Sequence, residues 1–344
     1  MINHTRNSSI LVWGARGFIG RSLVDALVSQ GARVRVLSRS LAGPRPVWAD
    51  AVEWVRLDPA GHGRSFEQAV DGASIVFNLA GASGAVDSNR YPLDSLEANC
   101  RLQLEFLEAC SRAGHRPHVV FTSSRLVYAQ NGREPITEAH AVKPASMYAA
   151  HKLCVEHYHQ IYAHTDRLSF TVCRISNPFG VDRSAPDRGY GFINTLIQQA
   201  IAGQRMTLFG TGRQLRDYVY IDDVVAMLRL CAVLPSARNE VLNIGCGRSV
   251  SIYDAASQIV QCFGGGSIDL APWPEEYEAI ESGDFVFDIS KARTLLAFTP
   301  IHSFADGLTD VRRQLAAHEA ACVTTGRAAV VPPAALGGAA AAQG

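Results

Sequence analysis

The sequence carries no excess of charge: among its 344 residues, 32 Lys and Arg balance 32 Asp and Glu. A balanced chain has no strong field to draw it to nucleic acid or to an acidic membrane surface. Long apolar runs are also missing, and none approaches the roughly 18–20 residues that a membrane-spanning helix needs. The start, residues 1–9, is polar and does not read as a secretory signal. Eight cysteines are scattered at Cys100, Cys110, Cys154, Cys173, Cys231, Cys246, Cys262 and Cys322, with no C-x-x-C pair. That excludes the usual zinc and dithiol spacings and suits buried free thiols. His151, His157, His159 and His164 combine with no acidic residue in a zinc-ligand spacing, so no metal is expected. What remains is a soluble globular protein, expected in the cytoplasm, with enough chain for one large domain or two ordinary ones.

What is present begins at residues 9–13, SILVW, a short apolar run of strand type. Gly14-Ala15-Arg16-Gly17-Phe18-Ile19-Gly20 follows, and then Leu23, Val24, Leu27 and Val28 recur at helical spacing up to Gly31. Residues 33–37 are the next strand, so the whole is one βαβ unit. Glycines between a strand and a helix let the backbone approach a pyrophosphate, which rests on the helix N-terminus. An acid at the end of the second strand would bond a ribose 2′-hydroxyl; the chain has Ser38-Arg39-Ser40 instead. Arg16 and Arg39 could pair with a 2′-phosphate. The cofactor is therefore NAD or NADP, with NADP slightly favoured.

Residues 52–57 read as a third strand, 64–70 as a short helix, and 74–81 as a strand ending in a small-residue turn. Residues 82–89 read as a mobile Gly/Ser-rich loop, and 93–113 as one long amphipathic helix carrying Asn99. A strand at 118–122 leads to Ser123-Ser124-Arg125-Leu126. A helix beginning near Met147 places Tyr148 and Lys152 at i and i+4, on one face. An ammonium beside a phenol favours the phenolate, so the two make a plausible acid/base pair.

These pieces together resemble the extended branch of the short-chain dehydrogenase/reductase superfamily, the NAD-dependent epimerase/dehydratase family. The match rests on Gly14, Gly17 and Gly20 at G-x-x-G-x-x-G spacing. It continues through an N-x-A-G stretch at Asn78 to Gly81, F-x-S-S-x-x-V-Y from Phe121, and the Tyr148/Lys152 pair. Further on stand Arg174 to Gly180 (R-x-x-N-x-x-G) and Gly210 to Asp223 (G-x-G-x-Q-x-R-D-Y-V-x-I-x-D). A closing D-x-S-K-A at Asp288 to Ala292 completes it. It spans about residues 8–315. The resemblance implies an α/β fold: a Rossmann doubly wound parallel sheet with a smaller C-terminal α/β substrate-binding part. The expected division is 1–175 for the dinucleotide domain with its catalytic residues, and 176–320 for the substrate region, some chain returning to the sheet. Residues 321–344 are expected to be a disordered tail, being small and aperiodic.

By the same resemblance Ser124, Tyr148 and Lys152 are catalytic. Tyr148 exchanges a proton with a substrate hydroxyl whose carbon exchanges a hydride with nicotinamide, and Lys152 also bonds the nicotinamide ribose. Gly14, Arg16, Gly17, Phe18, Ile19, Gly20, Ser38, Arg39, Asp58, Asn78, Ala80 and Asn99 are expected around the cofactor. Arg125, Asn177 and Arg216 are expected around the substrate, a sugar nucleotide. Arg125 or Arg183 could hold a uronate carboxylate, and residues 181–191 suit a lid. One departure concerns the segment just before Gly283-Asp284. Nucleotide-sugar members often carry an arginine there, whereas this chain has Glu278-Ala279-Ile280-Glu281-Ser282. Arg125 and Leu126 after Ser124 provide no acid and base for eliminating water. The favoured activity is thus a 4-epimerase working through a transient 4-keto sugar. The alternative is an NADPH-dependent 4-keto-sugar reductase; a decarboxylase or a non-catalytic dinucleotide sensor ranks below both. The resemblance also implies a homodimer, made by the helices at 93–113 and 147–163.

Overall fold

The computed structural model describes residues 9–40, 46–129, 134–181, 191–281 and 283–325, with side chains to residue 320. The expectations for Arg183, for most of the 181–191 lid and for the tail beyond residue 325 lie outside the described residues. The first strand, β1 (Ser9–Trp13), is buried at its last four positions. Ile10 and Val12 join one apolar cluster with Leu23, Val24 and Leu27; Leu11 and Trp13 join another with Phe66, Phe106 and Phe121. Side chains alternate across a strand, so β1 is covered on both faces, which is why it reads as an unbroken apolar run.

In chain order there follow α1 (Phe18–Val28), β2 (Arg33–Ser38), β3 (Glu53–Arg56), α2 (His62–Val70) and β4 (Ile75–Asn78). Next come α3 (Ala85–Arg90), α4 (Pro92–Leu96), α5 (Leu102–Arg112), β5 (His118–Ser124), α6 (Met147–His164) and β6 (Ser169–Ile175). The second half supplies β7 (Asn177–Phe179), α7 (Gly191–Ile201), β8 (Arg205–Phe209), β9 (Leu215–Tyr220), α8 (Ile221–Val233) and β10 (Glu240–Ile244). It closes with β11 (Ser249–Ser251), α9 (Ile252–Phe263), β12 (Ser267–Ala271), α10 (Glu275–Glu278), α11 (Ser290–Leu296) and α12 (Phe304–Thr325).

The main sheet has seven strands in the order β10-β6-β5-β4-β1-β2-β3, all paired in parallel. The chain runs outward from β1 to β3, then returns past β1 to β4, β5 and β6. The loops leaving β1 and β4 therefore diverge and open a crevice at the carboxyl ends of the strands, the usual ligand position in such sheets. From the second half, β10 returns to pair with β6. Strands β7, β9 and β11 form a small sheet over the crevice side, and β8 pairs with β12.

Three stretches differ from the sequence expectation, the first being residues 321–325 of the expected tail, where the backbone continues helix α12 to Thr325. Residues 82–89 are not simply a loop, because α3 occupies Ala85–Arg90. The reason is tertiary: Ala85 and Val86 are buried with Phe209 and Tyr277, and Ser88 and Asn89 bond the start of α6. The helix expected at 93–113 is divided into α4 and α5 by a π-helical turn, Glu97–Arg101. Such turns are frequent at functional sites because they re-aim a side chain, and here the turn carries Asn99.

Candidate active site

A cavity of about 460 Å³ opens at the carboxyl ends of β1, β4, β5 and β6. Gly14, Gly17 and Gly20 form its floor at the β1 end. Gly14 has φ +92°, and a Cβ there would stand 2.7 Å from the Leu79 carbonyl carbon. At Gly20 the obstacle is distance alone: a Cβ would meet the Gly14 oxygen at 2.2 Å. The Gly17 amide donates to the Gly14 carbonyl at 3.0 Å and closes the turn. Helix α1 then starts without a side-chain cap and without an acid in its first turn. The positive end of its dipole lies at the cavity, where it favours an anion. A turn with no room for a Cβ at Gly14 or Gly20 and a helix start without a side-chain cap fit a dinucleotide pyrophosphate.

Phe18 and Ile19 also line the cavity. Ser38 and Arg39, at the end of β2, and Arg16, in the turn between β1 and α1, stand apart from the lining. The Arg16 Nη1 donates to the Ser40 carbonyl at 2.8 Å, and the Ser38 hydroxyl donates to the same carbonyl at 2.8 Å. Arg39 is exposed. Asp58 is exposed as well, its Oδ1 accepting from the Ala60 amide at 2.9 Å.

Below the β4 end, Asn78 is fully buried, and its Nδ2 donates to Gln103 Oε1 at 2.7 Å. Gln103 in turn donates to the Ala80 carbonyl at 3.2 Å. Asn99 grips the next turn with both ends of its amide. Its Oδ1 accepts from the Ala82 amide at 3.0 Å, and its Nδ2 donates to the Ala82 carbonyl at 3.0 Å. These side chains hold the 79–84 backbone along the cavity wall, where Leu79, Gly81 and Ala82 are exposed to it.

Ser124, Tyr148 and Lys152 all line the same cavity. Strand β5 runs to Ser124, two residues beyond the expected end, so the serine stands at the carboxyl end of a central strand, its Oγ accepting from the Leu126 amide at 3.2 Å. Helix α6 begins one residue before Tyr148, and three of its first amides are closed by side chains. Ser88 Oγ accepts from the Tyr148 amide at 2.9 Å, Asn89 Oδ1 from the Met147 amide at 2.9 Å, and Ser146 Oγ from the Ala149 amide at 3.3 Å. Oxygen caps of this kind each stabilise a helix start by about 1 kcal/mol. Sequence reasoning missed Ser88 and Asn89; their only local signal is that both are cap-type residues.

Lys152 is buried, its Nζ donating to the Thr122 carbonyl at 3.0 Å and lying 5.9 Å from the centre of the Tyr148 ring. Burial disfavours its charge and lowers its pKa to about 8, against the upward pull of Glu156. Glu156 is one turn further along the same face of α6, and sequence reasoning missed it too. Both of its oxygens accept from Arg174: from Nε at 3.1 and 3.2 Å and from Nη2 at 2.6 Å. The Ser123 hydroxyl also donates to it. The Arg174 guanidinium lies 4.6 Å from the centre of the Tyr128 ring. This buried pair ties α6 to the ends of β5 and β6, and so fixes where Tyr148 and Lys152 stand relative to Ser124.

At the other end of the cavity stand Arg125, Asn177, Arg216 and Tyr218. Asn177 Oδ1 accepts from Arg125 Nε at 3.1 Å, and its Nδ2 donates to the Asp217 carbonyl at 3.0 Å. Arg216 pairs with Glu281, Nη2 to Oε1, at 2.5 Å. Asp217 is an internal anchor. Burial raises its pKa, against hydrogen bonds donated by the Cys246, Gly247 and Phe287 amides and the Ser176 hydroxyl. Tyr218 was not singled out from the sequence. Its hydroxyl is buried and has no hydrogen-bond partner among the described residues, so it is a polar group open to a ligand. Among the described residues no group of three His, Cys, Asp or Glu could hold a metal ion.

Residues 10–245 match the model of the NAD dependent epimerase/dehydratase family. The UDP-glucose 4-epimerase of Mycolicibacterium smegmatis is 29% identical over 307 residues, covering 87% of this chain and 95% of that protein. UDP-glucuronic acid decarboxylase 1 of Xenopus tropicalis is 26% identical, over 87% of this chain and 70% of that one. Among solved structures, the Thermotoga maritima UDP-glucose 4-epimerase with UDP-glucose superposes with a TM-score of 0.80 at 26% identity, covering 90% of this chain and 99% of that chain. MoeE5 in complex with UDP-glucuronic acid and NAD gives a TM-score of 0.79 at 26% identity, covering 90% and 100%.

Proposed function

The chain belongs to the NAD dependent epimerase/dehydratase family, and we propose that within it the protein is a 4-epimerase acting on a sugar carried by a nucleoside diphosphate. The observation that carries this is the meeting of Ser124, Tyr148 and Lys152 with the Gly14–Gly20 turn in one cavity. UDP-sugar epimerases among its relatives support it. When bound, the dinucleotide supplies reversible hydride transfer at the sugar carbon.

The residues of the chain handle the proton and the geometry. Tyr148 takes the proton of the 4-hydroxyl and returns it once the ketone has turned over in the pocket. Ser124 donates a hydrogen bond to the same oxygen. Lys152 keeps the phenol readily ionised by its charge. We assign the cofactor-side roles to the Gly14–Gly20 turn with Phe18 and Ile19, and wall-building roles to Asn78, Ala80 and Asn99. As the cofactor we propose NAD. Arg16 and Arg39 argue for a 2′-phosphate, but Arg16 already donates to the Ser40 carbonyl, and the MoeE5 complex contains NAD. We further propose a homodimer through α4, α5 and α6, whose outer faces leave Leu93 76% and Ile161 60% exposed.

Two outcomes follow. Purified protein interconverts UDP-glucose and UDP-galactose with no cofactor added; an absolute need for stoichiometric NADPH would replace the epimerase with a 4-keto reductase. The pH profile of kcat/KM falls on its alkaline side with an apparent pKa near 8, not near the ordinary lysine value of about 10.4. The sign follows from burial: the amine loses its proton early, and with it the charge that favours the Tyr148 phenolate. An alkaline limb above pH 10 would separate Lys152 from this role.

A further inference from the structure

The charge of the substrate end is set by one buried pair. Arg216 lines the cavity, yet its guanidinium is already occupied. Nη2 donates to Glu281 Oε1 at 2.5 Å, and Nη1 donates to the carbonyls of Gly283 at 2.5 Å and Leu215 at 2.9 Å. Glu281 is held in turn, its Oε1 accepting from the Gly283 amide at 2.9 Å. The side chains of Arg216 and Glu281 are 4% and 14% exposed, so solvent screens their attraction little. The neighbouring charges include Arg125 and Asp217, which are opposite in sign, and Asp284, whose Oδ1 accepts from the Leu215 amide at 2.9 Å. Arginine attracts phosphate through a permanent charge and a bidentate fork. Here a carboxylate takes part of that fork and offsets that charge.

We propose that Glu281 determines selectivity at this end of the cavity: by pairing with Arg216 it weakens the hold on a ligand's diphosphate. Recognition then shifts toward hydrogen bonds from groups such as the buried Tyr218 hydroxyl. The proposal rests on the reading that a nucleoside diphosphate reaches Arg216, and its test is separate from the test of that reading.

The test is calorimetric titration of the full-length protein and Glu281→Gln with UDP and with uridine. Glutamine keeps the oxygen that accepts from Arg216 and Gly283 but carries no charge. UDP is expected to bind Glu281→Gln at least tenfold more tightly, while uridine changes less than twofold. An unchanged or weaker UDP affinity overturns the proposal, as does a uridine gain equal to the UDP gain, or no UDP binding by either protein. Glu281→Asp, whose carboxylate falls short of Arg216, provides the second arm and is expected to give a smaller gain of the same sign. Should the protein epimerise UDP-glucose while Glu281→Gln leaves UDP affinity unchanged, only the selectivity role fails. Should UDP tighten as expected while no sugar is epimerised, only the assigned reaction fails.

Discussion

Tyr148→Phe is expected to lower kcat by about two to four orders of magnitude while the protein keeps its bound dinucleotide. Phenylalanine preserves the ring, and the cap on this position involves the backbone amide, which donates to Ser88 Oγ. The start of α6 therefore stays in place, and Lys152 stays bonded to the Thr122 carbonyl. Only the phenolic oxygen is removed, and with it the group proposed to exchange a proton with the sugar. Steady-state kinetics give the loss of turnover; absorbance and chromatography of the denatured protein give the retained nucleotide. A variant within tenfold of the parent would move the proton transfer to another group lining the cavity.

The second large effect concerns folding. Glu156→Leu is expected to destabilise the protein by about 3–5 kcal/mol, because a buried guanidinium is left without its carboxylate. In the parent, Arg174 and Glu156 have side-chain exposures of 7% and 1%, so water cannot take the place of the lost partner. The change reads as a fall in the unfolding midpoint on the order of 10 °C. Replacing Glu156 and Arg174 together by apolar residues should recover much of the loss, since the unpaired charge is then gone. A single variant as stable as the parent would mean that the pair contributes little to holding α6 against β5 and β6.

The contrast between these two residues shows what the sequence reveals and what it hides. Tyr148 and Lys152 are four apart on one helix, and Gly14, Gly17 and Gly20 lie within one turn. Short spacing of that kind carries its geometry with it, as does the apolar run of β1. The strand–helix pattern shows the βαβ unit at residues 9–37, whereas the doubly wound parallel sheet is what the family resemblance implies, and its seven-strand order is seen only in the fold. The partners of Glu156 and Arg216 are set by the fold. Arg174 reaches α6 from β6, and Glu281 reaches Arg216 from 65 residues further along the chain. No local pattern marks either contact. Residues 82–89 show the same limit. Their Gly and Ser content resembles a loop, yet Ser88 and Asn89 are ordered by the amides of a helix some 60 residues away. The π-turn that aims Asn99 at Ala82 leaves the helical periodicity of residues 92–112 nearly intact, so a pattern of apolar spacing passes over it.

In the proposed reaction the sugar leaves with the hydrogen it brought, on the opposite face of C4. The most direct measurement follows UDP-glucose labelled with deuterium at C4 through a complete equilibration without added cofactor. UDP-galactose is expected to retain the deuterium at C4, with none passing to solvent or to free nicotinamide nucleotide. Deuterium lost from C4, or labelled reduced nucleotide released in step with turnover, would contradict it.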